Sequence, residues 1–354
     1  MRAMWSIDPD IRRASTLPGA VYSDPAVFAL QRERVFARTW QFAMDEHRVK
    51  TAGQCVPWSI LDEPLVMTRD ADDRVHCLSN VCTHRGTVVV EGECHAQALR
   101  CRYHGRRFGL DGKFLSMPEF EGAENFPSPK DDLPRVPLGR WGRFLFASLA
   151  PSMPFDALIA PVRARVDWMP VDHFVFDAAA SHDYVVNANW ALYCDNYLEG
   201  FHIPYVHASL AGAIDYGQYT TACAGATVLQ TAIGEPAFKL PAGHPDAGRS
   251  VAAWYFWLFP TTMLNFYPWG LSINVVQPLA VDRTRVSFLS FVWDASKRSS
   301  GAGSGLDRVE REDEAVVEAV QRGVRSRLYE RGRYSPTRET GVHHFHRLLA
   351  EHLR

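Results

Sequence analysis

Two short stretches of the chain carry cysteine and histidine at a spacing that suits an iron–sulfur cluster. Cys82 stands two positions before His84, and Cys101 stands three positions before His104. A [2Fe–2S] cluster in which two histidines replace two cysteines on one iron needs this set of four ligands. A structural zinc site also accepts two cysteines and two histidines, but zinc ribbons usually use cysteine pairs rather than Cys-x-His. The spacing therefore favours the iron–sulfur cluster, and with it a protein that carries electrons.

A second candidate site lies around His202 and His207, on either side of Pro204. We expect a helix that ends at Pro204, with Asp195, Glu199 and His202 on one face, because residues i, i+4 and i+7 share a helical face. The proline would let His207 fold back toward His202. Two imidazoles and one carboxylate are the ligand set of a non-haem iron(II) centre with open coordination positions. A polar stripe that simply faces solvent is the alternative for these residues taken alone.

A helix that begins near Leu306 is predicted to supply the third ligand. Its apolar positions repeat with helical periodicity and are Leu306, Val309, Val316, Val317, Val320 and Val324. At about 100° per residue, Asp313 lies in the middle of this stripe, whereas Glu312 and Glu314 flank it. Glu318 is predicted to point away, so that only Asp313 is expected to face inward. A buried carboxylate is costly unless a cation or a metal lies beside it, so we predict Asp313 as an iron ligand. An aspartate buried against an arginine or a backbone cap is the alternative.

The elements that must position these motifs divide the chain into three parts. Residues 1–38 are predicted to form a helical segment that packs on the last domain. Residues 39–152 carry short alternating strands, with a hairpin that leads from Pro64 into the first cysteine loop and a strand at Phe144–Ala147. Residues 153–354 would form the domain that holds the second metal site. No internal repeat is visible.

Composition limits the classes of partner that this chain can have. A chain of 354 residues with 47% hydrophobic content can bury a large core and most readily makes two domains. A net charge of −2 gives no sign of a nucleic-acid or membrane surface. The sequence contains neither an apolar run of about 18 residues nor a signal-peptide pattern, so we expect a cytoplasmic enzyme. The remaining cysteines are expected to be reduced and mostly packed, and they are Cys55, Cys77, Cys94, Cys194 and Cys223.

The cysteine loops resemble those of the Rieske domains of ring-hydroxylating oxygenases, which follow the patterns CxHRG and CxYHG. Arg85-Gly86 after the first histidine and Gly105 after the second keep both patterns. The chain departs at Arg106, where many relatives carry tryptophan. Around the second site, the chain is similar to the α subunits of Rieske non-haem iron oxygenases, whose pattern is a carboxylate, two residues, His, four residues and His.

The resemblance covers essentially the whole chain and implies an α+β fold. An antiparallel β Rieske domain would precede a helix-grip (START-like) catalytic domain with an antiparallel sheet and a long C-terminal helix. A [2Fe–2S] cluster and a mononuclear Fe(II) are the implied cofactors, with O₂ as co-substrate. NAD(P)H would act only through a separate reductase of flavin or ferredoxin type. The implied ligands are Cys82, His84, Cys101 and His104 for the cluster, and His202, His207 and Asp313 for the iron.

The resemblance also gives Glu199 a role in electron transfer. In the family, the carboxylate before the first iron histidine carries electrons between subunits, so the resemblance implies a homotrimer. Most relatives use aspartate at this position. Glu199 keeps the charge and adds a methylene, and a glutamate here resembles the branch that acts on carnitine. We expect His104 of one chain to face Glu199 of the next, with His84 as the second choice.

The substrate is the least determined part of the sequence. Residues 254–269 are rich in aromatic side chains, which could line a pocket or, for any single residue, simply pack in the core. The stretch DNYLEGFHIPYVH resembles the choline monooxygenase branch. We therefore predict hydroxylation or oxidative dealkylation of a small organic molecule, with a quaternary or tertiary amine favoured. The alternatives are a dioxygenase of aromatic compounds, a Rieske electron carrier without oxygenase activity, and a helix-grip ligand-binding module with vestigial metal residues.

Three histidines near the C-terminus invite a metal site but lack accompanying ligands. Residues 341–346, which include His343, His344 and His346, contain neither cysteine nor carboxylate, so we expect a surface or subunit-contact role. Ahead of the second site, Asn189 is predicted as a helix N-cap and Trp190 as a packing anchor.

Overall fold

The computed structural model describes residues 5–354, and their contacts form two compact units. One unit spans residues 36–152, and the other joins residues 5–35 to residues 153–354. The N-terminal segment thus belongs to the second unit. Within that unit, for example, the indole N–H of Trp190 donates to Gln31 Oε1 at 2.9 Å.

The unit of residues 36–152 is built from short antiparallel strands. β3 and β4 form the hairpin predicted ahead of the first cysteine loop, and its turn is closed by Asp70, whose carboxylate accepts the N–H of Asp72 and of Arg74. The strands form sheets in the orders β1-β11-β10, β5-β2-β3-β4-β9 and β6-β7-β8. Their bounds are β1 Gln41–Asp45, β2 Gln54–Ile60, β3 Glu63–Arg69, β4 Val75–Ser79, β5 Cys94–His95, β6 Leu99–Arg100, β7 Arg107–Phe108, β8 Phe114–Ser116, β9 Arg135–Val136, β10 Leu138–Trp141 and β11 Phe144–Ala147. Short 3₁₀ turns occupy Phe36–Arg38, Glu46–Val49 and Pro129–Asp131.

The second unit combines one antiparallel sheet with helices. Its seven strands follow the order β12-β18-β17-β16-β15-β14-β13. They are β12 Val175–Val186, β13 Thr220–Ala224, β14 Thr227–Ile233, β15 Val251–Leu258, β16 Thr262–Tyr267, β17 Gly270–Ala280 and β18 Arg283–Val292. The helices are α1 Ala20–Ser23, α2 Pro25–Arg34, α3 Phe155–Val166, α4 Trp190–Tyr197, α5 Ile203–Val206, α6 Ala208–Ala211, α7 Leu306–Gly323 and α8 Thr340–Leu353, with 3₁₀ turns at Val171–His173, Tyr216–Gln218 and Ala295–Lys297. The α+β prediction is confirmed.

Two predicted helices differ from those observed. Within the described part of residues 1–38, only α1 and α2 are α-helical, and residues 1–4 lie outside the described residues. The helix before the second metal site ends at Tyr197, and Pro204 begins the next helix instead of ending this one. Proline suits the first turn of a helix, where its missing N–H would have no partner. The expectation of one helical face shared by Asp195, Glu199 and His202 was therefore wrong.

Helix α4 starts as predicted. The side chain of Asn189 accepts the N–H of Ala191 and so caps the helix, and Trp190 is fully buried. Asp195 faces away from the metal site and lies 2.8 Å from Nε2 of His346 on α8. This contact removes Asp195 from the set of candidate ligands.

The described cysteines are all free of disulfides. Cys55, Cys77 and Cys194 are buried as expected, whereas Cys94 and Cys223 are exposed. Among residues 5–354, no helix has the length and apolar character needed to cross a membrane.

Candidate metal centres

The second metal site forms where α7 packs beside the segment around α5. His202 immediately precedes α5, His207 separates α5 from α6, and Asp313 lies in the middle of α7. Oδ1 of Asp313 is 3.0 Å from Nε2 of His207 and 3.5 Å from Nε2 of His202. One ligand atom from each of the three residues lies within 4.8 Å of the other two. The fold thus brings together one carboxylate and two imidazoles, the donor set that suits a non-haem iron(II) ion.

A carboxylate holds each of these two histidines at its other nitrogen. Glu199 Oε1 lies 2.6 Å from Nδ1 of His202, and Glu312 Oε2 lies 2.8 Å from Nδ1 of His207. A carboxylate at Nδ1 keeps the ring proton there and leaves Nε2 as the donor to a metal. Glu199 is itself held by the N–H groups of Phe201 and His202. Both histidines are therefore oriented with Nε2 toward Asp313.

The inner face of α7 is more acidic than we predicted. Glu310 is 3% exposed and accepts the hydroxyl of Tyr193 at 2.6 Å, and Glu312 reaches His207. The prediction that only Asp313 faces inward was therefore wrong. That prediction assumed that the buried face of α7 is apolar. The same assumption placed Val320 on the buried face, although Val320 is 42% exposed. The i, i+3 spacing of Glu310 and Asp313 was the available signal that both share one face.

The charges around His207 and the burial of its ring have opposite effects on the pKa of the imidazole. Burial alone lowers the pKa of this imidazole, but the hydrogen bonds and negative charges of Asp313 and Glu312 outweigh burial and raise the pKa above its ordinary value. The hydrogen bond from His207, followed by that from Arg308, lowers the pKa of Glu312. The site therefore attracts positive charge, as a cation-binding site must.

The two cysteine loops in residues 36–152 have nearly the same backbone geometry. In each loop, the cysteine N–H donates to the carbonyl five residues later, at 2.8 Å for both Cys82 and Cys101. A glycine N–H then donates back to the cysteine carbonyl, at 3.0 Å for Gly86 and 3.1 Å for Gly105. The two glycines have φ of 75° and 74°, a left-handed conformation that side chains disfavour. This explains why glycine follows each histidine motif.

The four predicted cluster ligands meet at these loops. The rings of His84 and His104 lie 4.8 Å apart between centroids, and the Cys82 and Cys101 side chains are buried within hydrogen-bonding reach of each other. Nδ1 of His104 is buried and, among the described residues, has no hydrogen-bond partner, which fits a nitrogen reserved for a metal. Within residues 5–354, no three of these donors form a group as tight as the His202 site. The wider spread fits a two-iron cluster better than a single tetrahedral zinc.

Arg106 fills an aromatic pocket beside the second loop. Its side chain is 2% exposed, and its Nη2 lies 2.5 Å from Oδ1 of Asp131. The carbonyl of Asp131 in turn accepts the hydroxyl of Thr83 in the first loop, at 2.8 Å. Three rings surround the guanidinium with centroids 5.0, 5.5 and 5.7 Å away, those of Phe114, Phe126 and Phe108. Arg106 thus places a buried charge in an aromatic pocket and connects the two cysteine loops through Asp131.

The charge of Arg106 reaches His84. Burial is the main cause that lowers the pKa of His84, and the nearby His104 and Arg106 lower the pKa further. His84 is therefore neutral near pH 7, as a ligand imidazole must be.

A cavity of about 110 Å³ lies beside His202, His207 and Asp313. Carboxylates of Glu199 and Glu310 also line it, and its lining residues include neither lysine nor arginine. Five tyrosines contribute to the wall, namely Tyr193, Tyr197, Tyr219, Tyr255 and Tyr267. Of the aromatic residues in 254–269, only Tyr255 and Tyr267 line this cavity. The other aromatic side chains of the run are buried in the core.

The C-terminal histidines lie on α8 and make separate contacts. His343 Nε2 bonds a backbone carbonyl at 2.8 Å, and so does His344 Nε2. His346 is buried between Asp195 and the Tyr334 hydroxyl. The expected surface role is wrong for His343 and His346, which are 7% and 1% exposed. Helix α8 packs against the core through these two histidines. Their burial follows from tertiary packing, which the sequence pattern does not indicate.

Sequence families match both parts of the chain. The family described as Ring hydroxylating alpha subunit (catalytic domain) matches residues 175–354, and the family described as Rieske [2Fe–2S] domain matches residues 39–127. The chloroplastic choline monooxygenase of Arabidopsis thaliana is 29% identical over 100% of this chain and 87% of its own length. The carnitine monooxygenase oxygenase subunit of Escherichia coli (strain K12) is 29% identical over 96% of this chain and 94% of its own length.

Solved structures share the fold. The quaternary ammonium Rieske monooxygenase CntA in complex with L-carnitine superposes with a TM-score of 0.78 at 21% identity, covering 98% of this chain and 97% of that one. Naphthalene 1,2-dioxygenase from Rhodococcus sp. superposes with a TM-score of 0.72 at 18% identity, covering 95% and 93%. Since the catalytic-domain family spans half of the sequence and the Rieske family precedes it, the chain belongs to the ring-hydroxylating alpha-subunit family of Rieske oxygenases.

Proposed function

We propose that this chain uses O₂ and electrons from a separate reductase to hydroxylate or oxidatively dealkylate a small organic amine. The observation that carries the proposal is the convergence of His202, His207 and Asp313 on the wall of a cavity. Family membership gives the enzyme class, an oxidoreductase that depends on a Rieske [2Fe–2S] cluster and a mononuclear non-haem iron. The choice of an amine is supported by the choline and carnitine monooxygenases to which the chain is similar.

Each metal site has a distinct set of proposed ligands. Cys82, His84, Cys101 and His104 would hold the cluster, and His202, His207 and Asp313 would hold the iron. When bound, the cluster supplies electrons one at a time and the iron activates O₂. Three protein ligands leave open positions on the iron, and the adjoining cavity gives a substrate access to that side.

The protein residues around the iron site fix its geometry. Glu199 and Glu312 orient the two proposed ligand histidines through Nδ1, and five tyrosines line the adjoining cavity. In the overall reaction, one C–H bond, O₂, two electrons and two protons give C–OH and water. A hydroxyl placed on a carbon bonded to nitrogen then leads to loss of the amine.

We also propose that Glu199 relays electrons between subunits of a homotrimer. Its hydrogen bond to His202 connects it directly to the iron site. Phe201 and Tyr205 beside it are 39% and 80% exposed, an apolar surface that suits contact with a second copy. A flavin- or ferredoxin-type reductase would supply the electrons. A cytoplasmic location is supported by the free cysteines.

The substitution Glu199→Gln tests the relay. Both metals should be retained when ferrous iron is supplied in excess, and the reduction of iron by the cluster in a single turnover should slow markedly, because the amide lacks the charge. A normal single-turnover rate, with both metals present, would refute the relay.

The oxygenase assignment is tested with His202→Ala and with the unchanged chain. The unchanged chain purified without oxygen should contain about three irons and two acid-labile sulfides. The variant should contain about two irons, keep its Rieske spectrum and form no product from a screened set of amines. Unchanged turnover in the variant would exclude this iron site, and a chain that holds two irons even after ferrous iron is added would be an electron carrier only.

A further inference from the structure

Glu310 has an unused carboxylate oxygen at the wall of the cavity. It lies one helical turn before Asp313 and is 3% exposed. Tyr193 donates its hydroxyl to Oε2 at 2.6 Å, whereas Oε1, among the described residues, has no hydrogen-bond partner. Buried polar atoms without partners are rare in native proteins. An unpartnered oxygen on a cavity wall therefore points to a ligand.

Gln230 presents a second unused acceptor to the same cavity. Its Nε2 donates to the carbonyl of Tyr197 at 2.6 Å, which fixes the orientation of the amide, because only the nitrogen can face a carbonyl. Oε1 is buried and has no partner within the described part of the chain. Both orphaned groups are acceptors, so the complementary ligand carries positive charge or hydrogen-bond donors.

The charged residues that line the cavity also favour a positively charged ligand. Glu199, Glu310 and Asp313 line the cavity, and neither lysine nor arginine does. Burial raises the pKa of Glu310 to about 8, and the negative charges of Asp313, Glu314 and Asp307 add to that effect, although the Tyr193 hydrogen bond opposes it. Burial and the neighbouring carboxylates thus favour a proton on Glu310, and a bound cation would replace that proton. The tyrosine rings along the wall offer further contacts for a cation.

We propose that Glu310 is the counter-ion of a positively charged substrate nitrogen, and that Gln230 accepts a hydrogen bond from a hydroxyl or N–H of the same molecule. This inference rests on the proposed oxygenase function and narrows its substrate. The substrate is a compact cation such as an amino alcohol. A zwitterion should bind more weakly, because beyond the iron ligands its carboxylate would meet Glu199 and Glu310 and neither lysine nor arginine in this cavity.

The test compares molecules of the same shape and different charge. Calorimetry measures ligand binding to the iron-loaded enzyme in the absence of oxygen. The three ligands are choline, the neutral analogue in which carbon replaces the choline nitrogen, and L-carnitine. The unchanged chain should bind choline at least about tenfold more tightly than either of the others. In Glu310→Gln the preference for choline over the neutral analogue should disappear, while the affinity for that analogue stays within about threefold. Gln keeps the shape of the side chain and can still accept from Tyr193.

Glu314→Gln is the matched control, since it removes the same charge one turn further along α7 from a residue that does not line the cavity. It should keep the preference for choline. The proposal is overturned if the unchanged chain shows no preference for choline over its neutral analogue, if Glu310→Gln keeps that preference, or if L-carnitine binds as tightly as choline. These results leave the oxygenase function intact, because that function fails only if His202→Ala still turns over or if the mononuclear iron is absent.

Discussion

The two metal sites use histidine in opposite ways. At the iron site, Nδ1 of both histidines is held by a carboxylate, and Nε2 is left for the metal. At the cluster site, Nδ1 of His104 is buried and has no hydrogen-bond partner among the described residues, and the guanidinium of Arg106 lies near enough to His84 to lower the pKa of that imidazole. The comparison teaches that the surroundings of the imidazole decide which nitrogen binds a metal. They also decide whether the site accumulates negative or positive charge.

The largest expected effect is the complete loss of the cluster while the mononuclear iron is retained. Cys101→Ser should remove the cluster, so that acid-labile sulfide falls from about two per chain to none and reductase-driven turnover stops, while mononuclear iron remains. The matched change Cys77→Ser, at a buried cysteine outside the loops, should leave the sulfide content and turnover unchanged. Loss of the mononuclear iron in Cys101→Ser would show that the two sites do not assemble independently.

A second prediction concerns the buried charge at the cluster site. Asp131→Ala leaves the Arg106 guanidinium without its carboxylate, which should cost about 3–5 kcal/mol of stability in residues 36–152. Urea unfolding followed by cluster absorbance measures this loss. Adding Arg106→Trp to Asp131→Ala should recover most of it, because the remaining pocket is aromatic. If the double variant is as unstable as the single one, the charge pair is not what stabilises these loops.

A third prediction concerns the carboxylates at the iron site. Glu312→Gln weakens the hydrogen bond at Nδ1 of His207, so affinity for ferrous iron should fall by about 10–100-fold. Competition with an iron chelator measures the change, and Glu314→Gln serves as the control with the same loss of charge. Equal iron affinities in the two variants would contradict the anchoring role.

The smallest expected effect is on stability as a function of pH. In the metal-free fold, the pKa of Glu310 is raised from 4.5 to about 8, so the stability contributed by its neutral form is complete below pH 4.5 and is lost as pH rises to about 8. Glu310→Gln does not lose stability in this way, because its amide does not ionise. Relative to the unchanged chain, its melting temperature should therefore rise between pH 5 and 8, by about 2–4 °C for each kcal/mol of stability that the unchanged chain loses over this range. A constant difference across this range would indicate an ordinary pKa for Glu310.

The sequence alone was sufficient to single out candidate ligands that are close together in the chain. The cysteine loops are short, and each needs only a turn and a glycine to form, so their spacing reveals them. Asp313 was found because one charge interrupted an apolar stripe. Glu312 and Glu310 were missed because their partners, His207 and Tyr193, come from other segments, and because helical periodicity cannot distinguish a polar interior from solvent.

The end of α4 and the burial of α8 were missed for a related reason. Proline was treated as the end of one helix, although it is equally suited to begin another. His346 looks like a surface residue in the sequence, but the hydroxyl of Tyr334 and the carboxylate of Asp195 satisfy its ring inside the core. Such pairings are set by tertiary packing, which a single sequence does not display.

The buried guanidinium of Arg106 also has a thermodynamic consequence for electron flow. A positive charge beside the cluster stabilises its reduced form more than its oxidised form, and so raises the reduction potential relative to an uncharged tryptophan. Asp131 offsets part of this effect. A higher potential lets a weaker donor load the cluster, and it leaves less driving force for the next transfer to the iron. The side chain at position 106 therefore affects two driving forces in opposite directions. It increases the driving force for reduction of the cluster by its donor and decreases the driving force for electron transfer from the cluster to the iron.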